Sequence, residues 1–232
     1  MGMDWQALID LDRHCLLALN GSETLFWDGV MLAATSTWTW IPVAVLLLYV
    51  LLKNNNPGEV LLLVVLIALV ITIADQFSSS FCKPYFQRFR PTQEPDLMYC
   101  VDVVNNYRGG RYGFISSHAA NTFSVCVFLS LLLRRRSLAF ALFFWAMLCS
   151  YSRIYLGVHY PGDILCGAVW GMLVGLGVYY LYVYVKKRWM PVCKPVSAQY
   201  TSTGYLVADI HLILSGLYLT FVYILMRGAF YA

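Results

Sequence analysis

The chain has 232 residues, 60% of them hydrophobic and 12% charged, with a formal net charge of +4 and a mean hydropathy of +0.65. A water-soluble domain averages roughly 25% charged residues, so this composition excludes one and describes an integral membrane protein. One polytopic domain over residues 1–232 is the natural count at this length. Taken in chain order, residues 3–20 read as a short helix with Trp5, Leu8, Ile9, Leu16 and Leu19 apolar and Asp12 interrupting the stripe. The run is too short and too charged to span a bilayer. Residues 1–25 are therefore expected to hold an N-terminal helix lying in the membrane interface, with an ordinary exposed helix as the alternative. No basic n-region precedes a short apolar run with a cleavage site, so no cleaved signal peptide is expected. Six apolar runs follow, each near the ~20 residues a bilayer core requires. They lie at about Met31–Leu52, Val60–Cys82, Ser117–Leu133, Ser137–Tyr155, Gly162–Val185 and Tyr205–Met226. The expected fold class is all-α, a polytopic membrane bundle of about six transmembrane helices.

The loops orient this bundle. Lys53, Arg134, Arg135, Arg136, Lys186, Lys187, Arg188 and Lys194 fall on one face, which the positive-inside rule makes cytoplasmic. Tyr179, Tyr180, Tyr182 and Tyr184 read as an aromatic belt on that side. Six spans then put both termini on the extracytoplasmic face. The loops of that face hold Lys83, Arg88, Arg90, Arg108, Arg111 and Arg153, against the charge rule. A phosphate site needs such cations. Asp75 lies inside the second span and is either a functional carboxylate or a hydrogen-bond partner for a neighbouring helix. The longest loop, Thr92–Tyr112, is either a lid hinged at Gly109-Gly110 or a passive connection. His14 and His211 have no partner pattern and read as structural. The seven cysteines, at 15, 82, 100, 126, 149, 166 and 193, are not spaced as metal ligands. Cys126, Cys149 and Cys166 read as small membrane-embedded hydrophobes. Cys82 and Cys100 share the extracytoplasmic side, where a disulfide between them can persist.

Chemistry concentrates in three stretches at span ends on that face. The first is Lys83-Pro84-Tyr85-Phe86-Gln87-Arg88-Phe89-Arg90-Pro91, and the second is Gly113-Phe114-Ile115-Ser116-Ser117-His118. The third runs from Ser152-Arg153 through His159 to Asp163. There Gly157 can end one helix and Pro161 can open the next, leaving His159 on the turn. Asp163 falls in the first helical turn, where the helix dipole favours an ionised carboxylate. A carboxylate beside an imidazole fixes its tautomer and raises its basicity, which suits a nucleophile or general base. Lys83, Arg90 and Arg153 supply three cations from two segments. Phosphoryl transfer is catalysed mostly by positioning and charge stabilisation, and the planar guanidinium binds two oxygens at once. Ser116 adds a hydroxyl, and the helix beginning near Ser117 offers free N–H groups to a phosphate.

These stretches resemble the signature of the type 2 phosphatidic acid phosphatase superfamily, which holds lipid phosphate phosphatases and the soluble vanadium haloperoxidases. Its K-x6-R-P element is complete in Lys83, Arg90 and Pro91, and its S-R-x5-H-x3-D element in Ser152, Arg153, His159 and Asp163. The middle element, P-S-G-H, departs at Ile115 and Ser117. The resemblance covers Lys83 to Asp163. It implies a bacterial inner-membrane lipid phosphatase with its site facing the periplasm or cell exterior. The substrate would be a phosphomonoester or diphosphate of undecaprenyl diphosphate, phosphatidylglycerol phosphate, phosphatidic acid or lipid A. It further implies that His159 is the nucleophile forming a phosphohistidine, that Asp163 orients it, and that His118 protonates the leaving oxygen and then activates water. Lys83, Arg90, Ser116, Ser117 and Arg153 would hold the phosphate. No metal or cofactor, no nucleic acid and no obligate protein partner are expected. The spans argue against a haloperoxidase. A non-catalytic transporter or scaffold retaining the phosphate pocket is the remaining alternative.

Overall fold

Short polar breaks between the apolar runs set the helix ends. A computed structural model describes residues 5–189 and 197–232 and shows an all-α polytopic bundle. Helix α1 covers Trp5–Leu19, α2 Leu25–Thr35, α3 Thr37–Asn54 and α4 Pro57–Gln76. A π-helical turn, Phe77–Cys82, joins α4 to the short α5, Lys83–Phe86. The remaining helices are α6 (Ser117–Leu133), α7 (Arg136–Tyr155), α8 (Pro161–Trp189) and α9 (Val207–Tyr231). Five stretches among the described residues are long and apolar enough to cross a bilayer, namely α3, the run Pro57–Phe86, α7, α8 and α9. Helix α6 has 17 residues, the lower edge of a spanning length. This is a multi-pass membrane protein.

The expected first span, Met31–Leu52, is not one helix. It breaks at Ser36, whose backbone is extended (φ −73°, ψ 125°). Thr39 Oγ1 and Trp40 Nε1 take over the carbonyls freed at the end of α2, bonding Ala33 O at 2.7 Å and Ala34 O at 2.9 Å. The break falls in the polar triplet Thr35-Ser36-Thr37, short hydroxyl residues that favour caps and turns over helix interiors, inside a run otherwise read as one span. The tyrosine belt also needs correction. Tyr180 and Tyr184 are exposed, but Tyr179 and Tyr182 are buried, and Tyr182 donates to Glu59 at 2.7 Å. Two of the four therefore serve the bundle interior.

At the end of the bundle opposite the three motifs, Lys186 and Tyr182 meet Glu59, Lys53 meets Asp209 at 2.7 Å, and Asn55 meets the Tyr205 hydroxyl at 3.2 Å. The basic residues read as one face thus do sit at one end; Cys193 and Lys194 lie outside the described residues. At the motif end, the last residues of α9 return to α2, since a Cβ on Gly29 would lie 2.5 Å from Tyr231.

Helices α6 and α8 carry the site, and small residues let them close. Cβ atoms on Gly167, Gly171 and Gly175 of α8 would lie 2.5, 2.3 and 2.3 Å from the carbonyls of Ser116, Ala120 and Ser124. The two backbones therefore touch along three turns, as small-residue stripes allow in membranes. The Ser116 N–H donates to the Asp163 carbonyl at 3.1 Å, which locks the start of α6 to the start of α8.

Candidate active site

Helix α7 ends at Tyr155, Gly157 turns the chain at φ +68°, and α8 opens at Pro161. This turn folds His159 inward, where it is 1% exposed. Its Nδ1 lies 3.4 Å from Asp163 Oδ2, and its Nε2 lies 3.3 Å from Arg90 Nη1. Asp163 is fully buried and accepts the Tyr160 N–H at 3.1 Å on the same oxygen. The imidazole is thus backed by a carboxylate on one nitrogen and turned toward guanidinium on the other. Burial, then the charges of Arg90, Arg153 and Lys83, hold the His159 pKa well below its ordinary value, against a hydrogen bond with the Gly113 backbone. The ring is therefore neutral, as a nucleophile must be.

Arg90 is placed by the loop that follows it. Phe89 pairs with Tyr112, and the Arg90 N–H donates to Arg111 O at 3.1 Å. Its Nε bonds Tyr112 O at 3.1 Å and its Nη1 bonds Val158 O at 3.2 Å. Burial and the neighbouring Arg153 lower its pKa. Arg153 is 3% exposed and donates to Thr35 Oγ1 at 2.7 Å and to Tyr107 OH at 3.0 Å. Its buried Nε has no hydrogen-bond partner among the described residues. An unsatisfied guanidinium nitrogen at such a place is what an anion would complete. Burial opposes ionisation of the Tyr107 hydroxyl, but Arg153 and Arg90 outweigh it and lower its pKa.

His118 lines a cleft of about 360 Å³ together with Arg153, Thr35, Tyr107, Asn105, Asn106, Leu32 and Leu156. Arg153, His159, Arg90 and Lys83 all act on it electrostatically. The expected residues His118, His159, Asp163, Arg90, Arg153 and Lys83 thus converge. The two serines are both engaged within the protein. Ser116 is fully buried and caps α6, its Oγ accepting the Ala119 N–H at 3.4 Å. Ser117 Oγ is bonded by Lys83 Nζ at 2.6 Å, Ser78 at 2.8 Å and Ser79 at 3.0 Å.

Several site residues escaped the sequence reading. The π turn swings Ser78 and Ser79 onto Ser117, and π turns recur at functional sites. Three consecutive serines in an apolar run just before Lys83 were the available signal. Gly113 lets the loop sit close to the site: a Cβ there would lie 3.2 Å from Asp163 Oδ2 and from Arg90 Cγ, so both side chains would have to shift to admit it. Arg88 donates to Asp163 Oδ1 at 2.9 Å and to Asp12 Oδ2 at 2.7 Å. Burial works against its charge, but Asp163 and Asp12 outweigh it and raise its pKa. Tyr107 and Thr35 gave no local pattern. The long loop is more than a connection: Thr92 and Arg108 bond each other's carbonyls at 2.7 and 3.2 Å, and Tyr107 reaches Arg153. Asp75 accepts Ser79 Oγ at 3.4 Å on its own helix. Cys82 is buried, Cys100 is exposed, and both are free. Among the described residues no three His, Cys, Asp or Glu side chains converge as a metal site requires.

Such a site can bind a tetrahedral anion among three cations and present it to a neutral, carboxylate-backed imidazole. Comparison with known proteins points the same way. The model of the PAP2 superfamily matches residues 60–187. A lipid A 4'-phosphatase of Bacteroides thetaiotaomicron is 44% identical over 175 residues, 75% of this chain and 78% of that protein. A lipid A 4'-phosphatase of Porphyromonas gingivalis is 38% identical over 183 residues, 79% of this chain and 78% of that protein. No solved structure matches the chain significantly.

Proposed function

The chain belongs to the PAP2 superfamily and is a membrane lipid phosphatase, and from that premise we propose that it removes a phosphate from lipid A through a phosphohistidine on His159. The observation that carries the mechanism is the orientation of the ring: Nδ1 toward Asp163, Nε2 toward Arg90. In this reading Nε2 attacks phosphorus while Arg90, Arg153 and Lys83 hold the equatorial oxygens, where charge accumulates in transfer. Asp163 keeps the proton on Nδ1 and stabilises the cation formed. His118 gives a proton to the departing lipid oxygen, and then takes one from the water that cleaves the phosphorus–nitrogen bond. Ser117, with Ser78 and Ser79, sets the direction of Lys83. Ser116 contributes by ordering the first turn of α6, whose N–H groups face the phosphate.

The substrate assignment is supported by the two lipid A 4'-phosphatases that the chain resembles over three quarters of its length. The proposed setting is the bacterial inner membrane with the site on the periplasmic side. Supporting this, Lys53, Arg134 to Arg136 and Lys186 to Arg188 cluster at the other end of the bundle. The test is mass spectrometry of bis-phosphorylated lipid A after incubation with the purified protein in liposomes. The wild type should yield a product lighter by one phosphate, and His159→Ala should yield none. Release from phosphatidic acid but not lipid A would overturn the substrate; activity retained in His159→Ala would overturn the mechanism.

A further inference from the structure

Asp12 belongs to none of the three motifs, yet it ends a chain of ion pairs that leads to His159. It lies on α1, 76 positions before Arg88 and 150 before Gly162. Its Oδ1 accepts the Gly162 N–H at 2.8 Å and its Oδ2 accepts Arg88 Nη2 at 2.7 Å. Arg88 also gives Nη1 to Asp163 Oδ1 at 2.9 Å and places its guanidinium carbon over Tyr160, 4.0 Å from the ring centre. Asp163 Oδ2 then faces His159 Nδ1. Negative, positive and negative charges alternate from α1 to the imidazole.

The approach of Asp12 depends on a missing side chain. A Cβ on Gly162 would lie 2.8 Å from Asp12 Oδ2. Helix α1 is tied down directly after Asp12 and again just beyond its C-terminal end. Arg13 pairs with Glu94 at 3.2 Å, and Asn20 bonds Tyr155 O and the Asp102 N–H, each at 2.7 Å. A buried carboxylate such as Asp163 needs a partner to stay ionised. Arg88 is that partner, but a cation pulling unopposed on Asp163 would draw it from His159. Asp12 balances that pull.

We propose that Asp12 and Arg88 are positioning residues for the phosphatase reaction: acting through Arg88, Asp12 on α1 holds the Asp163 carboxylate where it orients His159. This makes the N-terminal helix part of the catalytic apparatus. The proposal rests on the reading of His159 as nucleophile. A misplacement of about 1 Å at a reacting group costs on the order of 10²-fold in rate.

The decisive variant is Asp12→Asn in the full-length protein in liposomes, assayed for phosphate release from lipid A. The amide oxygen can still accept the Gly162 N–H, so the start of α8 keeps its cap. Its other end turns an N–H₂ group toward Arg88, so the ion pair is lost. The expected result is a kcat lower by about 10²-fold, a KM within about threefold and an unchanged melting temperature. Asp10→Asn, on the exposed side of α1, is the control and should match wild type. Arg88→Lys keeps the charge and should lose less than Arg88→Ala. Because the two residues act in series, Asp12→Asn combined with Arg88→Ala should be no worse than Arg88→Ala alone. Wild-type kcat in Asp12→Asn overturns the proposal, as does a raised KM with kcat intact or a multiplicative double variant. Should Arg88→Ala fail to fold, Arg88→Lys completes the same cycle. If the wild type releases phosphate from no lipid, the proposed function fails by itself. Orthovanadate affinity then carries the test, with about tenfold weaker binding to Asp12→Asn expected and equal binding overturning the brace.

Discussion

Replacing Arg153 by Lys isolates geometry from charge at the most informative cation of the site. One guanidinium here does three things: it bonds Thr35 Oγ1 at 2.7 Å and Tyr107 OH at 3.0 Å, and leaves Nε without a partner among the described residues. The first two bonds anchor it to α2 and to the long loop, and in the proposed mechanism the third nitrogen bonds a phosphate oxygen. Lysine keeps the charge but has one nitrogen, which cannot span both anchors and still reach the anion. A hydrogen bond to a charged group contributes about 1.5–3 kcal/mol. At 1.36 kcal/mol per decade, losing one such bond in the transition state lowers kcat/KM by about 10- to 150-fold. Phosphate release at substrate concentrations well below KM measures this directly. Arg153→Lys with wild-type kcat/KM would show that charge alone suffices and that Nε does not touch the phosphate. Thr35→Val and Tyr107→Phe should each give a smaller loss, because either anchor alone still restricts the side chain.

Five other outcomes are expected. Because His159 of the free protein resists the proton that an unfolded ring accepts near 6.5, kcat/KM, corrected for titration of the substrate phosphate, should stay level as pH falls through 6.5; a decline centred at or above that value refutes a buried neutral nucleophile. The unfolded state binds that extra proton, so stability should fall with decreasing pH below 6.5, measured as the denaturation midpoint in detergent. Gly171→Ala would place a methyl 2.3 Å from the Ala120 carbonyl, so thermal unfolding should show a loss of about 1–3 kcal/mol, and an unchanged melting temperature would mean that α6 and α8 are not in backbone contact. Asn105 is exposed beside the cleft, and Asn105→Cys should react with a membrane-impermeant thiol reagent in intact cells, whereas labelling only after lysis places the site inside. His118→Ala should slow the first step far more on a lipid substrate than on a nitrophenyl phosphate, by about 10² to 10⁴-fold, since only a basic alkoxide needs the proton; equal losses in rapid-quench phosphorylation rates reduce His118 to a binding group.

Much of this protein is determined by residue type and spacing alone. Sixty per cent apolar residues in separated runs of about 20 require a helical membrane bundle, because in lipid only helices and closed barrels satisfy the backbone, and runs of that length fit helices. The order Gly157, His159, Pro161, Asp163 dictates a helix end, a turn and a helix start, so the imidazole and carboxylate share one short segment of chain whatever the rest does. Lys83, Arg90 and Arg153 were legible as cations misplaced for simple topology. What lay beyond the sequence were relations between distant segments. Asp12 looked like a flaw in an amphipathic stripe, and only docking of α1 reveals it as the contact to Arg88 and Gly162. Ser116 and Ser117 were legible as hydroxyls at a helix start, but not the partners the fold gives them: Ser116 Oγ accepts the Ala119 N–H, and Ser117 Oγ accepts from Lys83 and Ser78. The triplet Thr35-Ser36-Thr37 hints at the break at Ser36, but the bonds that make it tolerable come from Thr39 and Trp40 after the chain has turned. Periodicity and local dihedral preference act over a few residues, so they settle helices, turns and the neighbours within them. Which buried charge meets which partner depends on how helices pack, and that is decided by close contacts such as Gly171 against Ala120, made between residues far apart in the chain.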